Sequence, residues 1–197
     1  MIFSRNPARG SRILNGLALL GITGALAMAF FWQIVYDELP CPLCLLQRVA
    51  LLLAGVGFLL NMRLGPSPMH YAMSIAAALG GMLASGRQVL LHIAPGDPGY
   101  GSPMLGLHFY TWGFIAFSAI IVFCTAMLAV DRKWGDNMLR KPVSLLGVLV
   151  MALFFLMALA NVGSTTLECG FGPCPDNPTS YQWLDSAAAT SAYSGAG

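Results

Sequence analysis

Residues 41–60 read Cys41-Pro-Leu-Cys44-Leu-Leu-Gln-Arg48-Val-Ala-Leu-Leu-Leu-Ala-Gly-Val-Gly-Phe-Leu-Leu60. From 43 to 60 a single charged side chain, Arg48, interrupts an otherwise apolar run. A helix needs roughly 20 such residues to cross a bilayer, and in lipid a helix satisfies its own backbone groups. Similar runs lie at 13–36, 69–93, 107–130 and 143–162. Composition agrees, since 57% of the 197 residues are hydrophobic and 9% are charged. A soluble domain carries about 25% charged residues. The reading is an all-α integral membrane protein: a four-helix transmembrane bundle plus a fifth transmembrane helix. The first run is too long for the apolar segment of a cleavable signal, and no clear small-residue cleavage site precedes Asp37-Glu38, so a retained helix is expected.

The basic residues set an orientation. Lys and Arg are absent from 13–47, 88–131 and 142–197. They collect before the first run (Arg5, Arg9, Arg12), between the second and third (Arg63), and between the fourth and fifth (Arg132, Lys133, Arg140, Lys141). Basic residues of short loops stay on the cytoplasmic side. The segments 37–42, 94–106 and 163–197 carry Asp37, Glu38, Asp97, Glu168, Asp176 and Asp185 and no basic residue. The N-terminus is therefore expected in the cytoplasm and the C-terminus outside. The net charge of +2 speaks neither for nor against nucleic acid, and the partner expected from the composition is the lipid bilayer.

Organisation is simple: a helical bundle over 1–162 and an outer, cysteine-containing tail over 163–197. Small residues recur in the third run (Ala76, Gly80, Gly81, Ala84, Ser85) and the first (Gly16, Gly21, Gly24), where they allow close helix packing. The Gly/Pro-rich segment 94–106 reads as a set of turns, and 186–197, mostly Ala, Ser, Gly and Thr, as a disordered tail. Tyr100, Tyr110 and Trp112 suit an interfacial aromatic belt.

Four of the five cysteines fall on the outer side as two close pairs, Cys41/Cys44 and Cys169/Cys174; Cys124, inside the fourth run, reads as a packing residue. The outside of a bacterial inner membrane is oxidising, and disulfides persist there. Cys41 and Cys44 stand at the outer start of a helix, where unpaired N–H groups and the helix dipole favour a thiolate, the reactive form. A redox pair is the favoured reading. A plain structural bridge, or a zinc site completed by Cys169 and Cys174, remains open.

Arg48 follows Cys44 by four residues, on the same helix face one turn deeper. An Arg inside a span is costly and normally functional. It can stabilise the Cys44 thiolate or donate to a carbonyl of a headgroup such as a quinone; the alternative is that it snorkels to the outer surface. Arg87, Gln88 and His92 on the third run come to a similar level, with Gln88 and His92 sharing a face; a His there can take up a proton, or equally be an interfacial residue hydrogen-bonded to the Pro/Gly-rich loop.

Phe31-Trp32-Gln33 and the stretch 39–50, L-P-C-P-L-C-L-L-Q-R-V-A, resemble the disulfide bond formation protein B (DsbB) family over roughly residues 10–130. The resemblance implies a thiol–disulfide oxidoreductase. It makes Cys41 and Cys44 the quinone-coupled pair and Arg48 the residue contacting ubiquinone or menaquinone, with polar residues near Arg87, Gln88 and His92 assisting. A second cysteine pair would reoxidise a periplasmic, thioredoxin-like dithiol oxidase (DsbA-like). Familiar members carry that pair between the third and fourth helices, where this chain has no cysteine. Cys169-Gly-Phe-Gly-Pro-Cys174 lies on the side the chemistry needs and is the candidate replacement, with a structural staple as the alternative. Pro173 and Pro175 flank Cys174 and point to it as the more exposed sulfur. Two other readings are a quinone-linked enzyme like vitamin K epoxide reductase, which fits less well around Cys41, and a non-enzymatic metal-binding membrane protein using the outer thiolates.

Overall fold

The computed structural model describes residues 7–130, 142–170 and 172–185. Arg5, Arg132, Lys133, Arg140, Lys141, the side chain of Arg9 and the segment from 186 onward lie outside them. Five helices follow in order: α1 (Pro7–Val35), α2 (Pro42–Leu64), α3 (Pro68–Leu91), α4 (Phe109–Val130) and α5 (Leu145–Cys169). Each is long and apolar enough to cross a membrane, and no strand occurs among the described residues. The chain is an all-α, multi-pass membrane protein.

The helix starts are local decisions. Pro42 and Pro68 occupy first-turn positions, where a missing N–H costs nothing. Cys41 and Ser67 cap them; the Ser67 hydroxyl accepts from the Met69 N–H at 3.3 Å. Gly65, at φ 109°, ends α2. One boundary departs from the hydropathy reading. α5 does not stop near 162 but continues to Cys169; its polar residues stay helical, with the Thr166 hydroxyl donating back to the Val162 carbonyl at 2.8 Å. A fall in hydropathy marks the edge of lipid rather than the end of a helix.

α3 packs between α2 and α4, α1 packs on α2, and α5 packs on α1 and the edge of α2. The core joins Leu19 and Leu26 of α1, Phe58 and Met62 of α2, Tyr71 of α3, Cys124 of α4, and Val150 and Phe154 of α5. Cys124 is fully buried and unpaired, a small packing group. Leu17, Leu53, Leu83, Val122 and Leu146 face outward, as lipid requires. At the end away from the cysteine pairs, Asn15 donates to Tyr71 (2.8 Å) and Asn61 donates to Asn15 (2.9 Å), which pins three helices together.

The small-residue stripes are only partly at interfaces. Gly81, Ala84 and Ser85 are buried, but Ala76, Gly80, Gly21 and Gly24 are exposed. The close approaches also use Gly55, against the Phe154 ring, and Gly57, against the His70 carbonyl and Ser74. A Cβ at Gly81 would run into the Phe117 ring, itself fully buried and unable to step aside. Gly81→Ala is therefore expected to destabilise the bundle by about 1–3 kcal/mol, read as a lower thermal midpoint in detergent. An unchanged midpoint would show that α3 and α4 separate without cost.

Candidate active site

Local sequence places the first sulfur pair. Cys41 caps α2, its Sγ accepting from the Cys44 N–H at 3.1 Å, and Cys41 and Cys44 are joined as a disulfide across the first turn. The cap leaves Cys41 buried, 6% exposed, and Cys44 half-buried. Gln88 of α3 reaches across and donates Nε2–H to Cys41 Sγ at 3.3 Å, with Cys44 Sγ at 3.6 Å. Gln47 holds that amide by donating to Gln88 Oε1 at 2.8 Å. Donors aimed at sulfur favour the thiolate. Gln88→Leu is expected to slow alkylation of the reduced pair about tenfold near neutral pH, the loss of a hydrogen bond to a charged group. Alkylation rate against pH measures it, and an unshifted profile would deny Gln88 this role.

Arg48 turns inward rather than snorkelling. It is buried, donates from Nη1 to Gln33 Oε1 at 2.8 Å and from Nη2 to the Ala29 carbonyl at 3.2 Å, and stands 5.1 Å from the Phe30 ring centroid. Gln33 in turn donates to the Ser164 hydroxyl of α5 (2.8 Å) and the Tyr181 hydroxyl of the tail (3.1 Å). The fifth helix and the tail are thus tied to the arginine through one amide.

A cavity of about 280 Å³ opens beside this cluster, with Cys44, Gln47 and Arg48 on one wall. Met28 and Trp32 of α1, Leu51 of α2, and Phe109 and Phe117 of α4 make the rest largely apolar. The loop 94–106 roofs it more firmly than a string of turns implies. Glu38 accepts from the Ser102 N–H at 3.0 Å and from the Ser102 hydroxyl, and the Tyr100 hydroxyl donates to the Leu39 carbonyl at 2.7 Å. Burial, then the carboxylates of Glu168 and Glu38, push the Tyr100 hydroxyl above its usual pKa, so it stays a donor. Tyr110 and Trp112, in the first turn of α4, and Tyr100, in the loop, all line the cavity.

Of the candidate residues on α3, the structure brings only Gln88 to the sulfurs. Arg87 is exposed and lines no part of the cavity. His92, at the end of α3, pairs with Asp97 at 3.0 Å and stacks on Tyr110 at 5.6 Å. The Gly99 N–H, then the His92 ring, hold Asp97 below the usual carboxylate range. His92 is a loop anchor in this arrangement.

The second pair, Cys169 and Cys174, is also a disulfide, closing the end of α5 onto the tail. Cys169 is 4% exposed and Cys174 half-buried. Among the described residues no three His, Cys, Asp or Glu side chains converge as a metal site. Sequence reading quoted Gln33 and Gln47 within the motif and Glu168 among the acidic residues, but gave none of them, nor Tyr181, a role at the site.

The family model described as disulfide bond formation protein DsbB matches residues 11–102, which span most of α1, α2, α3 and the start of the loop between α3 and α4. That is shorter than the 10–130 of the motif resemblance and leaves α4 and α5 outside. Disulfide bond formation protein B of Hahella chejuensis is 35% identical over 91 residues, 44% of this chain and 55% of the relative. That of Marinobacter nauticus is 38% identical over 91 residues, covering 44% and 54%. Disulfide bond formation protein B 1 of Pseudomonas fluorescens is 29% identical over 154 residues, covering 61% and 89%. The chain spans about half the length of the first two. No solved structure matches. The matched residues hold Cys41, Cys44, Arg48 and Gln88, and over them the chain is similar to the DsbB family.

Proposed function

We propose that the chain is a thiol–disulfide oxidoreductase of a bacterial inner membrane. It reoxidises a periplasmic, thioredoxin-like dithiol oxidase (DsbA-like) and passes the electrons to a membrane quinone. One observation carries this reading: the Cys41–Cys44 disulfide and the buried Arg48 meet at an apolar cavity. Apolar walls with Arg48 and Gln47 as donors suit a flat ring bearing carbonyl oxygens, and the volume suits a headgroup. A bound ubiquinone or menaquinone supplies a two-electron, two-proton acceptor.

The chain's own residues do the thiol chemistry. A partner thiolate attacks the tail disulfide at Cys174, the less buried sulfur, and the partner's second thiol resolves the mixed disulfide. The reduced tail pair then exchanges with Cys41–Cys44. Arg48, the start of α2 and the Gln88 amide favour thiolate at Cys44, on the cavity wall. In this reading the cysteine-bearing end of the bundle and the tail face the periplasm. Arg12 and Arg63, at the opposite end, face the cytoplasm, which the positive-inside tendency favours.

The test is quinone consumption by the purified full chain in detergent, with a reduced thioredoxin-like oxidase as donor and a short-chain ubiquinone as acceptor. Turnover with matching loss of donor thiols is expected. Failure with every dithiol donor, together with stoichiometric zinc or copper in the purified protein, would replace the enzyme by a metal-binding protein.

A further inference from the structure

α5 ends on a group that the relay above leaves unused. Glu168 is fully buried, and neither of its carboxylate oxygens has a hydrogen-bond partner. An unpaired carboxyl in such a place is costly, and acidic groups within membrane proteins typically move protons or balance charge. Its neighbours show which. Asn161, Ser164 and Glu168 are spaced three and four apart and so share one face of α5. On that face the Ser164 hydroxyl accepts from Gln33, which accepts from Arg48. Glu168 interacts electrostatically with Arg48 of α2 and with Tyr100 of the outer loop, while α1 presents the uncharged Gln33. The next residue is Cys169, the buried half of the tail disulfide.

We infer that Glu168 is the proton acceptor of the tail cysteine pair: its carboxylate takes the Cys169 thiol proton as that sulfur attacks the Cys41–Cys44 disulfide. This rests on the two-pair relay proposed above. The step balances. A bond forms between Cys169 and Cys41, the Cys41–Cys44 bond breaks, and Cys44 leaves as thiolate. The Cys174 thiol then attacks Cys169, closes the tail disulfide and hands its proton to the departing Cys41 sulfur. Two electrons have moved from the tail pair to the inner pair. One proton sits on Glu168, one on Cys41, and a single negative charge has passed from the carboxylate to the Cys44 thiolate. Arg48 faces that charge before and after, so no uncompensated charge is created in the low-dielectric bundle.

Infrared difference spectroscopy on the quinone-free full chain tests this without turnover. A single equivalent of reduced thioredoxin-like dithiol oxidase, which delivers its electrons through the tail pair, is expected to produce a protonated-carboxyl C=O band, absent in Glu168→Gln and shifted in Glu168→Asp. No band in the wild type overturns the inference, whether Glu168 stays ionised or stays neutral throughout. With a dithiol oxidase as donor, Glu168→Gln is expected to lower quinone turnover roughly 100-fold, the usual scale of a positioned base, and Glu168→Asp to recover part of it. Quinone turnover without the carboxyl band sinks this inference alone. The band without any quinone turnover sinks the oxidoreductase reading and leaves the proton step standing.

Discussion

Cys44→Ala is expected to lower quinone reduction by roughly 1,000-fold or more with every dithiol donor, as loss of a covalent nucleophile does. Cys44 is the sulfur of the inner pair that lines the cavity, and Arg48 lies one turn deeper on the same helix. Without Cys44 no disulfide can form at the start of α2, and Cys41 is left as a buried, capping thiol. The fold should survive, because the α2 cap depends on Cys41 and the core on residues deeper in the bundle. Equal helical content and a similar thermal midpoint would show that chemistry rather than folding was lost. A variant that keeps turnover within a factor of about ten of wild type would remove Cys44 from the reaction and with it the proposed function.

The second large effect separates a relay from a staple. Cys169→Ala and Cys174→Ala are each expected to cut turnover driven by the dithiol oxidase about 100-fold or more, since thiol–disulfide exchange needs both sulfurs of the pair. Dithiothreitol is small enough to reduce Cys41–Cys44 directly and should still support quinone reduction in both variants. A partner lacking its resolving cysteine should be trapped on wild-type protein at Cys174, the half-buried sulfur, and not at Cys169. Non-reducing electrophoresis with peptide mapping reads this. If both tail variants turn over normally with the oxidase, the bridge is a staple and the partner attacks Cys41–Cys44 itself. Heat stability would then fall in both variants, as removal of a structural disulfide predicts.

Gln33 shows how the two effects are linked. It stands between Arg48 on one side and Ser164 and Tyr181 on the other. The cavity wall and the tail-bearing helix are therefore one hydrogen-bonded unit, although α5 lies outside the matched family segment. The cysteine-free loop 94–106 roofs the cavity, and the second disulfide sits at the end of α5, the helix that packs on α1.

Some of this was legible without any structure. The spans follow from run length and apolarity, because a bilayer sets the length of a helix and excludes unsatisfied backbone. The placing of Cys41, Cys44 and Arg48 is also local, as a capping cysteine, Pro42 and a four-residue spacing lie within two turns of one helix. Tertiary structure decided what no spacing holds. Arg87, Gln88 and His92 crowd the same end of α3, and only its rotation against α2 sends Gln88 to the sulfurs, Arg87 outward and His92 to Asp97. Likewise 163–166 reads as the end of a span. α5 instead continues, and its packing on α1 buries Glu168 and carries Ser164 to Gln33. Hydropathy records how much a residue favours lipid; which neighbour it meets depends on helix rotation and depth, and these are fixed only when all five helices pack.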